Sequence, residues 1–529
     1  MGALLFQTPK LFIFYLKRNK FKVFLWLTLL TILTLLIPPA FESMYPNESK
    51  MGPIIEMSKN PAMEVMLGPG DFNDVNIGVL FAHEMTLFTG IMVAIMNILI
   101  VARDTRGDEA DGRTEILKAL PIGKHAPLIS HLFMSIFSNG LLAILFVVGL
   151  TCLNTNSIDF SGALVYGFSM GVFGLMFSAL TMVIAQLVSS GGETAGMSIA
   201  ILLLMYLVRA FGDIANEQIS MYSPMGWLSR VYAFSENNWW PIITMLVVTV
   251  LMYVIALVLN HIRDINAKML PQLPSRKRAT WYMKSPLGLQ IKLQKAGFCY
   301  FAIGLFVLGL SYGSIFGDLD NFFKDNPLLQ SMLSDKGNNY VEQFLPQLML
   351  VMSLISTIPS LMSLFKIKKS IDMGYAMLVL ANTVSRINFL SSFLILSIIN
   401  AIVMIFLAAL GLYVGQVYAL ENAIDFGTIM QSAMVFIPAI LVFVGLGTLV
   451  IGWGIKFTNV VYLYLAYTFV VNYLGVLLNV KAWMKDITPF NHIPNIPVDD
   501  FKLLPLVILT IIAIMMCIIG IIGFKQRDL

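Results

Sequence analysis

The chain has 529 residues, of which 58% are hydrophobic and only 12% are charged, and its mean hydropathy is +0.81. Soluble proteins carry about 25% charged residues, so this composition excludes a soluble globular protein and indicates a polytopic membrane protein. The net charge of +4 gives no reason to expect a nucleic-acid partner. Cys152, Cys299 and Cys517 are far apart in apolar segments, without the spacing of a disulfide framework or a zinc site.

A helix needs about 20 apolar residues to cross the hydrocarbon core of a bilayer. Twelve segments meet this length and predict an all-α protein with twelve transmembrane helices and short extracellular loops. In chain order they are residues 21–39, 84–102, 126–153, 162–188, 194–212, 241–262, 296–315, 344–365, 389–414, 432–455, 458–479 and 503–524.

The distribution of lysine and arginine predicts the orientation of these spans, because positive residues are retained on the cytoplasmic side. With a cytoplasmic N-terminus, 25 of the 34 lysines and arginines fall in cytoplasmic segments and nine in external ones. Both termini are therefore predicted to be cytoplasmic.

An internal duplication of six spans is indicated by short alignments between the two halves of the chain. We therefore predict a first six-span half at residues 1–265, a cytoplasmic basic linker at 266–284 and a second six-span half at 285–529. The aligned pairs are residues 8–18 with 285–295, 112–124 with 374–386, and 223–225 with 488–490, at offsets of 277, 262 and 265.

The segment from Arg103 to Lys124 is the densest run of charge, with five acids and five bases. We expect such a run to lie in water on the cytoplasmic side. Asp111-Gly112 suits a turn, and good helix formers follow from Arg113 until Pro121 ends the helix. A short helix that presents arginine and glutamate suits a reversible contact with a soluble partner.

This segment resembles the permease subunits of ABC-2 type transporters, which carry a similar acidic-glycine-basic motif and a following proline between spans two and three. A Ser-Pro-x-Gly-Trp motif before the sixth span is similar too. The fused twelve-span form resembles the tetronasin-type permeases, exporters of polyketide antibiotics. The residues that carry the resemblance are Asp111, Gly112, Arg113, Glu115, Leu117, Ala119 and Pro121, and then Ser223, Pro224, Gly226 and Trp227.

The resemblance implies two fused six-helix halves of the type V exporter kind, each with a coupling helix and a re-entrant hairpin that forms an outer gate. Two copies of a cytoplasmic ABC ATPase would dock beneath the coupling helices. The coupling residues would be Asp108, Glu109, Asp111, Gly112, Arg113, Glu115, Leu117 and Pro121, and then Gly374, Tyr375, Met377 and Arg386. The gate residues would be Ser223, Pro224, Gly226 and Trp227, and then Pro489 and Phe490.

One departure concerns the second coupling helix, where Tyr375 and Met377 stand in place of Arg113 and Glu115. We therefore expect one polar and one apolar docking face.

The chain contains no phosphate-binding loop of the Walker A type, which needs Gly-x4-Gly-Lys followed by a hydroxyl residue. Gly123-Lys124-His125 lacks both the upstream glycine and the hydroxyl. We expect no cofactor, catalytic residue or metal site in this chain, with ATP and Mg²⁺ on a separate ATPase subunit.

Ionisable residues within spans mark functional sites by default, and here they lie near span ends. His83, Glu84, Arg209 and Asp213 are the candidates for a substrate or ion pathway.

These observations together predict the transmembrane permease of an ATP-driven exporter. The permease would lie in the bacterial cell membrane, in contact with its lipid. It would move a hydrophobic or amphipathic antibiotic, drug, lipid or peptide out of the cell. The alternatives are an ion-coupled multidrug carrier, which the scarcity of acids at mid-membrane opposes, and a membrane-embedded enzyme, which would need clustered catalytic groups.

Overall fold

The computed structural model describes residues 5–44, 61–72, 76–153, 157–263, 280–314, 340–382, 384–419, 423–473 and 480–527, with single residues 51, 52, 55, 58, 155 and 316. These residues form helices and turns and no strand. Eleven helical stretches among them are long and apolar enough to cross a membrane. This confirms the predicted all-α polytopic class. Residues 266–279 of the predicted linker lie outside the described residues.

The chain divides into two compact units, Met1–Ser275 and Arg276–Leu529. The helices of the first unit are α1 (Thr8–Met44), α2 (Pro61–Leu67), α3 (Ile77–Ala102), α4 (Asp108–Ala110), α5 (Arg113–Lys118), α6 (Ala126–Cys152), α7 (Phe160–Leu187), α8 (Gly191–Ala215), α9 (Glu217–Ser220), α10 (Pro224–Ser229) and α11 (Trp240–Ile262). The helices of the second unit are α12 (Pro286–Ser314), α13 (Tyr340–Asp372), α14 (Tyr375–Leu380), α15 (Arg386–Ala419), α16 (Phe426–Met434), α17 (Ile437–Gly454), α18 (Thr458–Tyr473), α19 (Ala482–Asp486) and α20 (Leu503–Gln526).

Helix α7 is the centre of the first unit, where it packs against α3, α6 and α11. In the apolar 18-residue part of α7, 78% of the residues are buried, compared with 28% in the same measure for α8 and for α11. Asn97 of α3 and Asn139 of α6 donate amide hydrogens to each other across this centre, at 2.9 and 2.8 Å. The two buried amides thereby satisfy each other and join the helices, as interhelical amides do in membrane proteins.

The predicted first span and the basic segment before it form one helix. Helix α1 runs without interruption over 37 residues from Thr8 to Met44, whereas the predicted span covers only residues 21–39.

The tenth and eleventh predicted spans lie in one helical stretch of 48 residues, Phe426–Tyr473. At 1.5 Å per residue, a straight helix of this length would measure about 72 Å, more than twice the hydrocarbon thickness of a bilayer. The stretch is interrupted by a short 3₁₀ helix, Ile455–Phe457, between α17 and α18. The described residues therefore form eleven continuous apolar helical stretches, whereas the hydropathy of the sequence predicted twelve transmembrane spans.

Glycines bring α12 and α15 of the second unit into backbone contact. A Cβ atom on Gly309 or Gly313 would overlap the backbone of α15, and one on Gly411 or Gly415 would overlap the backbone of α12. Both pairs have the four-residue spacing of the small-residue motifs that let membrane helices pack closely.

We expect Gly309→Leu to lower the thermal stability of the purified protein, because the new side chain must push the two backbones apart. Overpacking of this kind costs about 1–3 kcal/mol or more. The measurement is the unfolding temperature in mild detergent, followed by intrinsic fluorescence. Gly304→Leu is the matched control, since this exposed glycine of the same helix has open space around it. Equal unfolding temperatures for the two variants would contradict the close contact.

Candidate functional site

The charged segment begins as a direct continuation of α3. Residues Arg103–Gly107 form a π-helix, in which the amide of Asp108 donates to the carbonyl of Arg103. Such turns occur often at functional sites, because they turn side chains away from the regular helical register. Gly191, in the first turn of α8, packs against the backbone of Gly107 and Ala102. The π-helix therefore packs closely against the start of α8.

Arg18 of α1 neutralises two carboxylates of this segment. Its guanidinium lies 2.7 Å from Asp104 and 2.6 Å from Asp108. The neighbouring Asn19 side chain donates a hydrogen bond to Asp104, and the Tyr15 ring lies 5.0 Å below the guanidinium carbon. The two buried carboxylates thus fix one face of α1 against the segment.

A second group of ion pairs ties the segment to α7 and to the end of α11. Arg263, just after α11, forms a bidentate pair with Glu109, with distances of 2.9 and 2.7 Å. Its Nε donates to Gln186 of α7 at 3.0 Å. Arg106 pairs with Glu109 at 2.7 Å and donates to the carbonyl of Val188 at 2.6 Å. A planar guanidinium fits such bidentate contacts well.

The expectation that the whole charged segment lies in water is wrong for four of its charged residues. Asp104, Arg106, Asp108 and Glu109 are each less than 9% exposed. Paired charges that also receive hydrogen bonds can be buried at tolerable cost. Two of the bases, Arg18 and Arg263, are outside the segment, so composition alone did not show that these acids are paired.

The second part of the segment, helix α5, is exposed. It follows Gly112, which adopts the left-handed conformation (φ 75°) that favours glycine. The Arg113 side chain is 53% exposed and pairs with Asp108 at 2.9 Å. Ile116 is 70% exposed, and Leu117 packs against the core. Of the other predicted coupling residues, Asp111, Glu115 and Pro121 are exposed, while the Asp108 and Glu109 carboxylates are taken up by internal ion pairs.

Helix α14 of the second unit repeats this geometry at the offset of 262. It follows Gly374, with φ 74°, and runs for the same six residues. Tyr375, Met377 and Leu378 are 56%, 61% and 68% exposed. The backbone is thus duplicated, while the exposed side chains are apolar and aromatic in place of charged.

A basic residue after each short helix binds the end of the last long helix of its own unit. Lys124 donates to the carbonyl of His261 at 2.7 Å. Arg386, its counterpart at offset 262, donates to the carbonyls of Lys525 and Arg527 at 3.2 and 2.7 Å. Carbonyls at a helix C-terminus have no partner within the helix and carry partial negative charge, which favours a cation. Sequence reasoning had placed Arg386 on the coupling face and had not identified this contact.

The predicted hairpin of the first unit is fixed by a buried ionic group. Arg209 and Asp213 of α8 pair at 3.2 Å, and Asp213 also pairs with Arg230 after α10. Arg209 is fully buried and donates to the carbonyl of Val65 at 2.7 Å. Arg209 and Asp213, which the sequence suggested as pathway residues, therefore join α8 to helix α2 and to the residue that follows α10.

The hairpin residues of both units are held by local contacts. Ser223 caps α10 before Pro224 and donates to the carbonyl of Met205 at 2.6 Å. Gly226 lies against the backbone of Ser220, and the indole of Trp227 donates to the carbonyl of Met221 at 2.7 Å. In the second unit, Pro489 begins a 3₁₀ turn, and the buried Phe490 packs on the rings of Phe436 and Phe443.

His83 and Glu84 lie in the second turn of α3, away from the charged segment. His83 lines a cavity of about 30 Å³, together with Asp71 and Ser235. This volume suits a water molecule and not a drug. Among the described residues, no hydrogen bond or ion pair joins His83 or Glu84 to Arg209 or Asp213, and no cluster of three metal-ligating side chains occurs.

Two comparisons with known proteins find similar sequences. The family model described as "Multidrug efflux system permease Rv1217c, C-terminal domain" matches residues 49–259 and 283–525, one segment within each compact unit. The multidrug efflux system permease protein Rv1217c of Mycobacterium tuberculosis is 26% identical over 522 residues, covering 97% of this chain and 94% of the relative.

We expect Arg18→Ala to destabilise the first unit by on the order of 3 kcal/mol, because the buried Asp104 loses its arginine and Asp108 keeps only the exposed Arg113. The measurement is the unfolding temperature of the purified protein in mild detergent. Lys17→Ala, at the exposed neighbouring position, is the control and should leave the temperature nearly unchanged. An equal effect of both substitutions would show that the ion pairs do not hold α1.

The thermal stability of the protein should depend on pH through His125. Its ring nitrogens lie 3.1 Å from the side-chain amide of Asn260 and 3.3 Å from the ring of His261. Burial and the nearby His261 and Lys124 lower the pKa of His125 below its usual value of 6.5. The unfolded chain then binds the proton more readily than the folded chain, so this contribution to stability is lost as the pH falls below about 6.5. We expect His125→Gln to reduce the loss of thermal stability between about pH 7 and pH 5, with His492→Gln as the control. An unchanged pH profile would contradict the assignment.

Proposed function

The chain belongs to the family described as multidrug efflux system permease Rv1217c, C-terminal domain, and from this premise we propose that it is the membrane permease of a drug exporter. The family and the many apolar helices support a multi-pass transporter component. We propose further that it is an ABC-2 type permease of the tetronasin-exporter kind, with twelve spans in two halves, 1–265 and 285–529, and both termini in the bacterial cytoplasm. The turn between α17 and α18 supports twelve spans, since it divides a stretch too long for one crossing.

The observation that carries the proposal of an ATP-driven exporter is the pair of short exposed helices, α5 and α14. Each follows a left-handed glycine and runs for six residues, at an exact offset of 262. An exposed helix at the same place in both units is suited to docking two copies of one cytoplasmic ATPase. In this proposal the partner subunits hold ATP and Mg²⁺.

The ion pairs beside α5 would transmit the movement of such a partner. Arg113 of α5 pairs with Asp108, and Asp108 pairs with Arg18 of α1. The adjacent Glu109 pairs with Arg263 at the end of α11. A push on α5 would therefore reach two long helices through short ionic contacts. Coupling through packed elements of this kind needs no flexible linker.

The two docking faces differ in chemistry. The face of α5 is polar, with Asp111, Arg113 and Glu115 exposed beside the apolar Ile116. The face of α14 is apolar, with Tyr375 and Met377 exposed. We propose that one ATPase copy makes a polar contact and the other an apolar contact.

We propose a hydrophobic or amphipathic compound as the substrate, moved out of the cell, with the hairpins at Ser223–Trp227 and Pro489–Phe490 as the outer gate. The fixing of the first hairpin by Arg230 and Asp213 supports a defined gate position.

The alternative, an ion-coupled multidrug carrier, needs acids that gain and lose protons during transport. The buried acids Asp104, Asp108, Glu109 and Asp213 are each paired with an arginine. Arginine stays protonated and offers its carboxylate partner fixed hydrogen-bond donors. These pairs favour a structural role and leave Glu84 as the acid to test for ion coupling.

We expect Glu115→Lys to weaken association with the ATPase at least fivefold and to reduce drug efflux, because the substitution reverses a charge on the docking face. The full chain is purified in mild detergent with its co-purifying proteins, and the ATPase is quantified by mass spectrometry. Glu42→Lys, the same charge reversal at the exposed far end of α1, is the control.

Normal association and normal efflux in a well-folded Glu115→Lys protein would contradict the docking role of α5. Met377→Glu tests the second face in the same assay, since a charge there should weaken an apolar contact.

A further inference from the structure

The second unit contains a cavity of about 250 Å³ between α12, α13 and α15. Its wall is apolar, with Phe298, Phe301 and Leu396. Two cations, Lys295 and Lys366, also line it. At its mouth Ile291, Met362 and Ile399 are 42%, 43% and 39% exposed.

Two buried polar side chains line the same cavity without a hydrogen-bond partner among the described residues. The hydroxyl of Ser363 and the amide oxygen of Asn400 belong to residues that are 3% and 4% exposed. A buried polar group without a partner costs free energy that a suitable ligand atom would recover. Ser363 lies one helical turn from Lys366, so polar groups extend from the cationic rim into the cavity.

The positions of Lys295 and Lys366 can be compared with the corresponding positions of the first unit, where one of the two residues is an acid. At the offsets of 277 and 262, Lys295 corresponds to Arg18 and Lys366 to Asp104. In the first unit these two residues form an ion pair of 2.7 Å. In the second unit both positions are lysines, and the position of Asp108 is taken by Ser370. Among the described residues, neither lysine has an acidic partner within ion-pair distance. The carboxylates of Asp104 and Asp108, which neutralise Arg18 in the first unit, therefore have no counterpart at these positions of the second unit.

We propose that this cavity is a binding site for an anionic amphiphile. The acidic head group lies between Lys295 and Lys366, within reach of Ser363 and Asn400. The hydrocarbon part lies against Phe298 and Phe301. Small-molecule pockets usually measure about 300–1,000 Å³, so the cavity takes the head group and the first part of the chain. The remainder passes the exposed apolar residues at the mouth.

Two sources can supply such a ligand, an acidic membrane phospholipid or a transported compound with an acidic group. The second source rests on the proposed function, whereas the binding site itself does not.

The test is native mass spectrometry of the full chain in a neutral detergent, titrated with dioleoylphosphatidylglycerol or with dioleoylphosphatidylcholine. These lipids share their chains and differ in head-group charge. We expect the anionic lipid to bind about tenfold more tightly, as charge-assisted hydrogen bonds to two lysines imply. The double variant Lys295→Gln/Lys366→Gln should abolish this difference. Lys292→Gln, one turn away and outside the cavity lining, should preserve it.

A cavity-filling variant separates binding in the cavity from general attraction to surface charge. A Cβ atom on Gly297 would have only the Lys366 ammonium, at 4.0 Å, within contact distance. A leucine there would extend into the cavity and favour the helix. We expect Gly297→Leu to reduce binding of the anionic lipid at least fivefold. Equal binding of the two lipids by the native chain, or unchanged anionic-lipid binding by both variants, would overturn the proposal.

A second arm distinguishes the sources, with dodecyl phosphate as the soluble anionic amphiphile. Its efflux is followed in cells that express the chain with its ATPase. If the double lysine variant loses both lipid binding and dodecyl phosphate efflux, the cavity serves transported compounds. If it loses binding while efflux continues, the cavity holds a membrane lipid. Absence of dodecyl phosphate efflux with the native chain would exclude transport of this class of compound and leave the binding result intact.

Discussion

Three carboxylates buried at the end of α3 need cations, and this requirement organises the first unit. Asp104 and Asp108 take Arg18 of α1, and Glu109 takes Arg106 and Arg263. A buried charge that loses its partner is strongly destabilising, so these contacts hold their helices in one arrangement. The exposed helix α5 extends directly from this group. Its position relative to α1 and α11 is therefore set by ion pairs.

The two units have the same backbone at this place and different electrostatics. In each, a left-handed glycine starts a six-residue helix, and Lys124 or Arg386 binds carbonyls at the end of the last long helix. In the first unit the buried acids near this helix are paired with arginines of the same unit. The second unit has lysines at the corresponding positions and a cavity beside them. The two units thus share this local backbone, while the residues at the corresponding positions form an ion pair in the first unit and line a cavity in the second.

Much of the local structure was predictable. Asp111-Gly112 predicted the turn before α5, because a left-handed position favours glycine, and the same argument holds for Gly374. The burial of Asp104 and Glu109 was not predictable from their own segment, which reads as a solvated run. Arg18, the base of Asp104, is 86 residues away, and Arg263, the second base of Glu109 beside Arg106, is 154 residues away. A short window of sequence does not contain these distant partners.

The sequence by itself determined the all-α polytopic class of the protein, the approximate places of its apolar segments, and the glycines that start α5 and α14. Hydropathy and allowed backbone angles are properties of short segments, and short segments suffice to show them. Only the tertiary structure decided which charged residues are paired and buried and which are exposed. It also brought Ser363, Asn400 and the two lysines around one cavity. The physical reason is that the cost of burying a charge depends on its neighbours in space, which the fold alone supplies.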